Sequence, residues 1–223
     1  MRARGWRLLA SLGFCGMALL YGAAVAAPAS LGFPYTATIG SYVLYAEAPI
    51  DVPAIRNILA RADARLRGSA LLTPQPQTTI YLTRGGWRWK MLSGTSVGAF
   101  AISRPVSGAI VINRNDPEAD QVVNGRIIGG HRLLSGVIAH EVTHNLLRRR
   151  FGPTIDWRTP AWKLEGYCDY VAGNGSLSDA EAKALLAHNA DHPALPYYLG
   201  RKRVAGILKS NGGSIDALFR PAT

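Results

Sequence analysis

Cysteine and charged residues are both scarce in this chain. Only 2 of its 223 residues are cysteine, which excludes a scaffold stapled by several disulfides. Charged residues make up 17% and hydrophobic residues 48%, so neither an intrinsically disordered chain nor a coiled coil is expected. Internal repeats and low-complexity linkers are absent as well. The length therefore predicts one globular domain with a short appendage.

Acidic residues are scarcer than basic residues. The 14 Asp and Glu residues are outnumbered by 25 Lys and Arg residues, which gives a formal net charge of +11. Such an excess suggests an anionic partner, either a nucleic acid or a membrane surface. The basic residues are dispersed, however, and no nucleic-acid recognition motif is present. We therefore expect no nucleic-acid partner.

The N-terminus has the layout of a targeting segment. Three arginines near the start precede an uncharged stretch that ends at Ala27, and Ala24-Val25-Ala26 fits a signal-peptidase cleavage rule. The stretch is also long enough to span a bilayer. Residues 1–27 are therefore predicted to be either a cleaved signal peptide or a membrane anchor, with membrane association through residues 6–27. Both alternatives place residues 28–223 outside the cytoplasm, for example in a periplasm.

Hydrophobic periodicity predicts strands early in the chain and helices late. The predicted strands are Tyr35–Tyr45, Gln77–Thr83, Val97–Ser103 and Gly108–Asn113. A polar loop is expected over residues 114–130. The predicted helices cover residues 51–67, 87–92, 131–150, 159–171, 178–189, 196–210 and 214–220. This order predicts an α+β fold, with a small N-terminal β-sheet and a helical C-terminal half.

The central motif is H-E-x-x-H, formed by His140-Glu141-Val142-Thr143-His144. Residues four apart on a helix lie one turn apart on the same face, so the two imidazoles can bind one metal ion. Glu141 lies beside them and can reach a water bound to that metal. The motif therefore predicts a metal site on the helix over residues 131–150.

A catalytic zinc ion needs a third protein ligand and an open fourth position. Glu165 is the best candidate, because a helix–loop–helix can bring it back over the two histidines. Asp169 lies four residues later on the same helix face, where its carboxylate can orient a metal-bound histidine. Cys168 is interpreted as a small buried hydrophobic residue. The full set of candidates for the third ligand is Asp156, Glu165, Asp169, His131, His188 and His192.

Residues 137–144, followed by Glu165-Gly166 and Asp169, resemble the gluzincin metallopeptidases. These are the clan of thermolysin and the membrane alanyl aminopeptidases, with small peptidase MA-like relatives. The resemblance implies a zincin-like domain over residues 28–223 that binds one Zn²⁺. It also implies that His140, His144 and Glu165 are the metal ligands, that Glu141 is the catalyst and that Asp169 supports the first histidine.

A fainter similarity lies downstream, at Pro196-Tyr197-Tyr198-Leu199-Gly200. It resembles the Tyr-x-x-Gly segment of the aminopeptidase families, which implies Tyr197 as the residue that stabilises the oxyanion, with Tyr198 as the alternative. The basic run Arg201-Lys202-Arg203 follows directly and suggests acidic substrates. The Gly-x-Met-Glu-Asn motif that anchors a free amine has no counterpart, since residues 97–102 contain no acid. Their strands could still offer an edge to an extended peptide.

The leading hypothesis is a zinc-dependent peptidase that acts on a peptide or protein substrate outside the cytoplasm. Endopeptidase and exopeptidase action both remain open. One alternative is a non-catalytic, metal-stabilised binding or scaffold protein on the same fold. The presence of Glu141 disfavours it, because a structural zinc ion does not need that residue. The other alternative is a membrane-anchored basic protein that binds lipid or polyanion, with an accidental H-E-x-x-H.

Overall fold

The computed structural model describes Gly16, residues 21–24, 26–71, 77–124, 130–173, Gly175 and 177–220. Within them the α+β prediction is confirmed. The helices are α1 Val52–Leu66, α2 Trp87–Ser93, α3 Leu134–Phe151, α4 Ile155–Arg158, α5 Ala161–Ala172, α6 Asp179–Ala187, α7 Leu195–Ser210 and α8 Ile215–Phe219. The strands are β1 Tyr35–Ile39, β2 Tyr42–Ala46, β3 Thr78–Leu82, β4 Ala101–Ser103, β5 Ile110–Ile112, β6 Arg114–Asp116, β7 Gln121–Val123 and β8 His131–Leu133.

Most of the proposed targeting segment lies outside the described residues. Among the residues that are described, no helix combines the length and hydropathy that a membrane span requires.

A five-stranded mixed sheet forms one side of the core, in the order β1-β2-β3-β5-β4. The three inner strands run parallel, and the two edge strands β1 and β4 are antiparallel to their neighbours. Helix α1 connects β2 to β3 and buries Ile55, Ile58, Leu59, Ala62 and Leu66 on one face. Asp51 caps this helix, since its side chain accepts a hydrogen bond of 2.9 Å from the Ala54 amide.

Two sequence predictions in the N-terminal half are wrong in detail. The single strand predicted for Tyr35–Tyr45 is two antiparallel strands, because Gly40 adopts a φ of +58° and reverses the chain. Part of the loop predicted for residues 114–130 forms the strands β6 and β7, which join β8 in a second, three-stranded sheet. Each of its strands has only three residues, which is too short to show an alternating pattern.

Helix α3 carries the H-E-x-x-H motif through the centre of the molecule. It begins at Leu134 rather than His131, because His131–Leu133 pair with β7. Asp120 provides the N-terminal cap from a distant turn, since its Oδ1 accepts from the Ser135 amide at 2.8 Å. Every residue from Leu134 to His144 is buried, so the two histidines project from a helix that is enclosed on all sides.

Helices α5 and α7 approach each other closely through two glycines. A Cβ added to Gly200 would lie 2.5 Å from the carbonyl oxygen of Trp162, and one added to Gly166 would lie 2.5 Å from the carbonyl carbon of Gly200. No side chain fits at either position without moving a helix. The contact therefore fixes the distance between Glu165, beside one glycine, and Tyr197, one turn before the other.

We expect Gly200→Ala to destabilise the protein, because the new methyl group overlaps backbone atoms of α5. Overpacking of this kind costs about 1–3 kcal/mol. Gly206→Ala on the same helix is the matched control, since nothing lies within 4 Å of a Cβ there. It should stabilise the helix by roughly 0.5–1 kcal/mol. Urea denaturation of the two variants measures the contrast, and equal midpoints would contradict the close-approach argument.

Candidate metal centre

Helices α3 and α5 bring together the residues that the sequence singled out. His140 Nε2 lies 3.2 Å from His144 Nε2 and 3.2 Å from Glu165 Oε2. His144 Nε2 lies 3.6 Å from Glu165 Oε1. Asp169, one turn further along α5, contacts the opposite nitrogen of His140. Both histidines and Asp169 are buried, and the Glu165 side chain is 25% exposed.

The spacing of these three donor groups suits a tetrahedral ion. Ligand atoms about 2.0–2.1 Å from such an ion lie about 3.3–3.4 Å from one another. The observed separations of 3.2, 3.2 and 3.6 Å are close to this value. Two imidazole nitrogens and a carboxylate therefore converge on a point where they could hold a metal ion.

Cys168 belongs to the same cluster. It is fully buried on α5, and its Sγ lies within 4.8 Å of a nitrogen of each histidine, so His140, His144 and Cys168 form a group that could hold a metal ion. Burial raises the pKa of this thiol well above its usual value, and the neighbouring carboxylates of Glu165 and Glu141 add to the effect. In the absence of a metal the sulfur is thus a neutral thiol, which is a weak ligand.

Asp169 fixes the orientation of His140. Its Oδ1 lies 2.8 Å from His140 Nδ1 and 2.8 Å from Arg132 Nη2. Burial disfavours the Asp169 carboxylate, but the charge of Arg132 and the hydrogen bond from His140 outweigh it and lower the pKa. An ionised carboxylate only accepts hydrogen bonds, so Nδ1 carries a proton. Nε2 is then the nitrogen that faces Glu165 and is left to bind a metal ion.

Electrostatics in the cluster favour a cation at its centre. Burial lowers the pKa of His140, yet hydrogen bonds to Asp169 and Glu165 raise it overall to about 10. Burial would also raise the pKa of Glu165, but His144 and His140 hold that pKa well below its usual value. The carboxylates that attract a proton to His140 would attract a metal cation to the same place.

Glu141 projects into a cavity of about 200 Å³ beside the cluster. No hydrogen bond or ion pair engages its carboxylate within the described part of the chain. His140, Glu165 and Tyr197 line the same cavity, as do Phe100 and Ala101 at the start of the edge strand β4. A buried carboxylate without a protein partner is costly, so one that faces a cavity is available to a bound molecule.

The two tyrosines suggested by the sequence lie in different environments. Tyr197 lines the cavity and is 44% exposed. Burial of its hydroxyl, together with the nearby Glu165 and Asp169, raises its pKa, so the hydroxyl keeps its proton and can donate it in a hydrogen bond. Tyr198 instead packs into a separate hydrophobic cluster with Leu177 and Ala182.

The other candidates for the third ligand lie elsewhere. His131 and His188 are exposed, and His192 Nδ1 accepts a hydrogen bond from the Ala194 amide at 3.3 Å. Asp156 Oδ1 lies 3.9 Å from His144 Nδ1, which is too long for a hydrogen bond. Asp156 thus faces the Nδ1 of His144, whereas Glu165 faces the Nε2. The other Asp156 oxygen accepts a hydrogen bond of 2.6 Å from Arg148 Nε.

Sequence reasoning missed two contributors to this cluster. Cys168 was interpreted only as a hydrophobic residue, although its position three residues after Glu165 places it on the face that meets α3. Arg132 was not singled out at all. Its side chain reaches Asp169 from β8, 37 residues earlier in the chain, and no local pattern encodes that contact.

We expect Asp169→Asn to weaken metal binding by roughly 10- to 100-fold, because the negative charge that orients His140 is lost. Competition with a chromogenic chelator measures the affinity in the folded protein. Asp191→Asn, at an exposed position, is the control and should leave the affinity unchanged. An unaltered affinity in Asp169→Asn would show that the contact with His140 plays no part in metal binding.

Comparison of the chain with protein-family models, with curated protein sequences and with solved structures gave no match. The case for a function therefore depends on the residues and geometry of the cluster itself.

Proposed function

We propose that the chain is a zinc-dependent peptidase of the gluzincin type, with a zincin-like fold. The observation that carries the proposal is the convergence of three donor groups beside a carboxylate that has no protein partner. His140, His144 and Glu165 would hold one Zn²⁺ and leave a fourth position open towards the cavity that Glu141 lines. The targeting layout of the N-terminus supports action outside the cytoplasm.

In the proposed reaction, Glu141 accepts a proton from the attacking water and later delivers it to the leaving amine. A zinc ion in this position supplies Lewis acidity, which polarises the scissile carbonyl and lowers the pKa of the water. Asp169 keeps the His140 ring in the orientation that the ligand set requires. The free state of the Glu141 carboxylate suits this task, because no protein donor competes for its lone pairs.

The edge strand β4 offers a surface for an extended substrate. It pairs with β5 on one side only, and residues 98–101 line the cavity just before and at its start. The second edge of β4 is free of any strand in the described sheet, so its backbone groups can pair with a polypeptide. A substrate bound in this way passes beside Glu141 and Glu165.

Tyr197 is proposed to donate a hydrogen bond to the developing oxyanion. We expect Tyr197→Phe to lower kcat by about 10²- to 10³-fold while KM changes little, since the bond is made mainly in the transition state. Steady-state kinetics on one cleaved peptide measures both constants. Tyr198→Phe is the matched control, and a larger loss in that variant would assign the role to Tyr198 instead.

A second candidate function is favoured by the position of Cys168. If its sulfur joined the two histidines and Glu165, four protein ligands would close the coordination sphere, as in structural zinc sites. The protein would then be a metal-stabilised binding or scaffold protein. The Glu141 carboxylate argues for the open site, because it lines the adjoining cavity without a protein partner and a structural zinc ion does not need such a residue.

Turnover of a mixed peptide library tests the proposal directly. The zinc-loaded full-length chain is incubated with the library, and mass spectrometry identifies new termini. We expect cleavage that a chelator abolishes and that added zinc restores. A zinc-loaded, folded chain that cleaves no peptide would overturn the peptidase function and leave the metal-stabilised scaffold as the better explanation.

A further inference from the structure

A second concave surface lies directly beside the proposed catalytic cavity. It is a groove of about 550 Å³, and three basic side chains line it, from Arg84, Lys90 and Arg114. We refer to it as the basic groove. Gly98 and Asn124 line both this groove and the catalytic cavity, so the two spaces adjoin.

The three cations of the basic groove have no acidic partner among the described residues. No carboxylate lies within ion-pair distance of any of them, and no acidic residue lines the groove. Some surface cations are neutralised, since Arg61 pairs with Asp120 and Arg150 pairs with Asp216. Those of the basic groove are not, and they lie together in a concave surface, where field lines are focused.

The basic run Arg201-Lys202-Arg203 is a weaker candidate for the same role. Arg201 and Lys202 both lie near Asp179, at 3.6 and 2.9 Å. Arg203 stacks over the Trp162 ring at 3.8 Å. The sequence suggested that this run selects acidic substrates. Because its side chains already have partners, Arg84, Lys90 and Arg114 are the better candidates for that role.

Residues 97–99 form the wall between the basic groove and the catalytic cavity, and two side-chain hydrogen bonds hold them. Trp89 Nε1 donates to the Val97 carbonyl at 2.9 Å, and Asn113 Nδ2 donates to the Ala99 carbonyl at 2.8 Å. These bonds fix the segment that leads into β4. A polypeptide lying along β4 past Glu141 would therefore continue into a preformed groove with three available positive charges.

We propose that the basic groove binds an acidic segment of the polypeptide substrate, a few residues away from the bond that is cleaved. The inference rests on the proposed peptidase function and names its substrate class. Carboxylate side chains of the substrate would meet the cations of Arg84, Lys90 and Arg114. Because these pairs are exposed to solvent, they steer and select substrate more than they tighten its binding.

The binding test uses two fluorescein-labelled peptide pools that are identical except for Glu or Gln at fixed positions. The zinc-loaded Glu141→Gln variant is used, so that binding is measured without cleavage. We expect the Glu pool to bind roughly tenfold more tightly at low salt, with the difference shrinking as salt is added. The triple variant Arg84→Gln, Lys90→Gln, Arg114→Gln should lose this preference.

A charge-matched control separates the groove from net charge. The exposed residues Arg56, Lys183 and Lys209 are changed to Gln together, and this variant should keep the preference for the Glu pool. Equal loss in both triple variants, or equal binding of the two pools, would overturn the proposal. A third result would also overturn it. If the triple variant of the groove no longer binds mixed phosphatidylcholine–phosphatidylglycerol vesicles but binds both peptide pools as before, the groove serves lipid headgroups.

Cleavage of the two peptide pools by the unmodified chain distinguishes the acidic-substrate proposal from the peptidase proposal. Cleavage of both pools at equal rates, together with equal binding, overturns the acidic-substrate proposal while the peptidase function stands. Tight, groove-dependent binding of the Glu pool without any cleavage overturns the peptidase function while the groove stands as an acidic-peptide site.

Discussion

Glu141→Gln should abolish most peptide hydrolysis while zinc stays bound. Glutamine has nearly the same shape but cannot accept the proton of the attacking water, and loss of a general base lowers rates by roughly 10²- to 10⁴-fold. The metal should remain because Glu141 is not one of the three converging donors, which come from His140, His144 and Glu165. Turnover of a cleaved peptide and zinc content by elemental analysis are measured on the same preparation.

The fold of this variant is expected to persist. The Glu141 carboxylate makes no hydrogen bond or ion pair with a described residue, so the amide leaves no protein partner unsatisfied. Glu118→Gln, at an exposed position, is the matched control and should turn over at the unmodified rate. Hydrolysis at that rate by Glu141→Gln would exclude the base role, and loss of zinc from it would instead make Glu141 a ligand.

The parts of the cluster that sequence anticipated are those fixed by helix geometry. His140 and His144 are four apart on α3, and Glu165 and Asp169 are four apart on α5, so each pair shares one face of one helix. Only the approach of the two helices had to be assumed. The hydrophobic residues that the two helices bury supply that approach, because they belong to one common core.

The parts that sequence missed depend on contacts distant in the chain. The start of α3 was misplaced by three residues because its cap is Asp120, which lies in the turn between β6 and β7. The environment of Asp169 was incomplete because Arg132 reaches it from β8. A cap or an ion pair formed across the fold leaves no local pattern. The caps at Asp51 and Ser178 are local, because each side chain accepts from the amide three residues later.

The edge strand β4 is shorter than the sequence predicts. A strand was predicted over Val97–Ser103, but only Ala101–Ser103 pair with β5. Before them, side chains rather than a strand neighbour hold the backbone, since Trp89 and Asn113 donate to the carbonyls of Val97 and Ala99. This irregular segment separates the catalytic cavity from the basic groove.

Glu165→Gln should weaken metal binding, whereas Cys168→Ala should leave it unchanged. Removal of the Glu165 charge should cost more than the roughly 10- to 100-fold that loss of an orienting partner costs, because a ligand itself is lost. Cys168→Ala should bind zinc as the unmodified chain does, because His140, His144 and Glu165 already supply the three ligands of an open site. Chelator competition measures both affinities.

Cobalt substitution gives a second readout that does not depend on catalysis. A cobalt–thiolate bond produces a charge-transfer band in the near ultraviolet, and we expect none in the unmodified chain because His140, His144 and Glu165 supply the three ligands of an open site. Such a band, lost in Cys168→Ala, would place the sulfur among the ligands and close the fourth position. With His140, His144, Glu165 and Cys168 all bound, no site would remain for an attacking water. The same spectrum therefore decides between an open catalytic centre and a structural one.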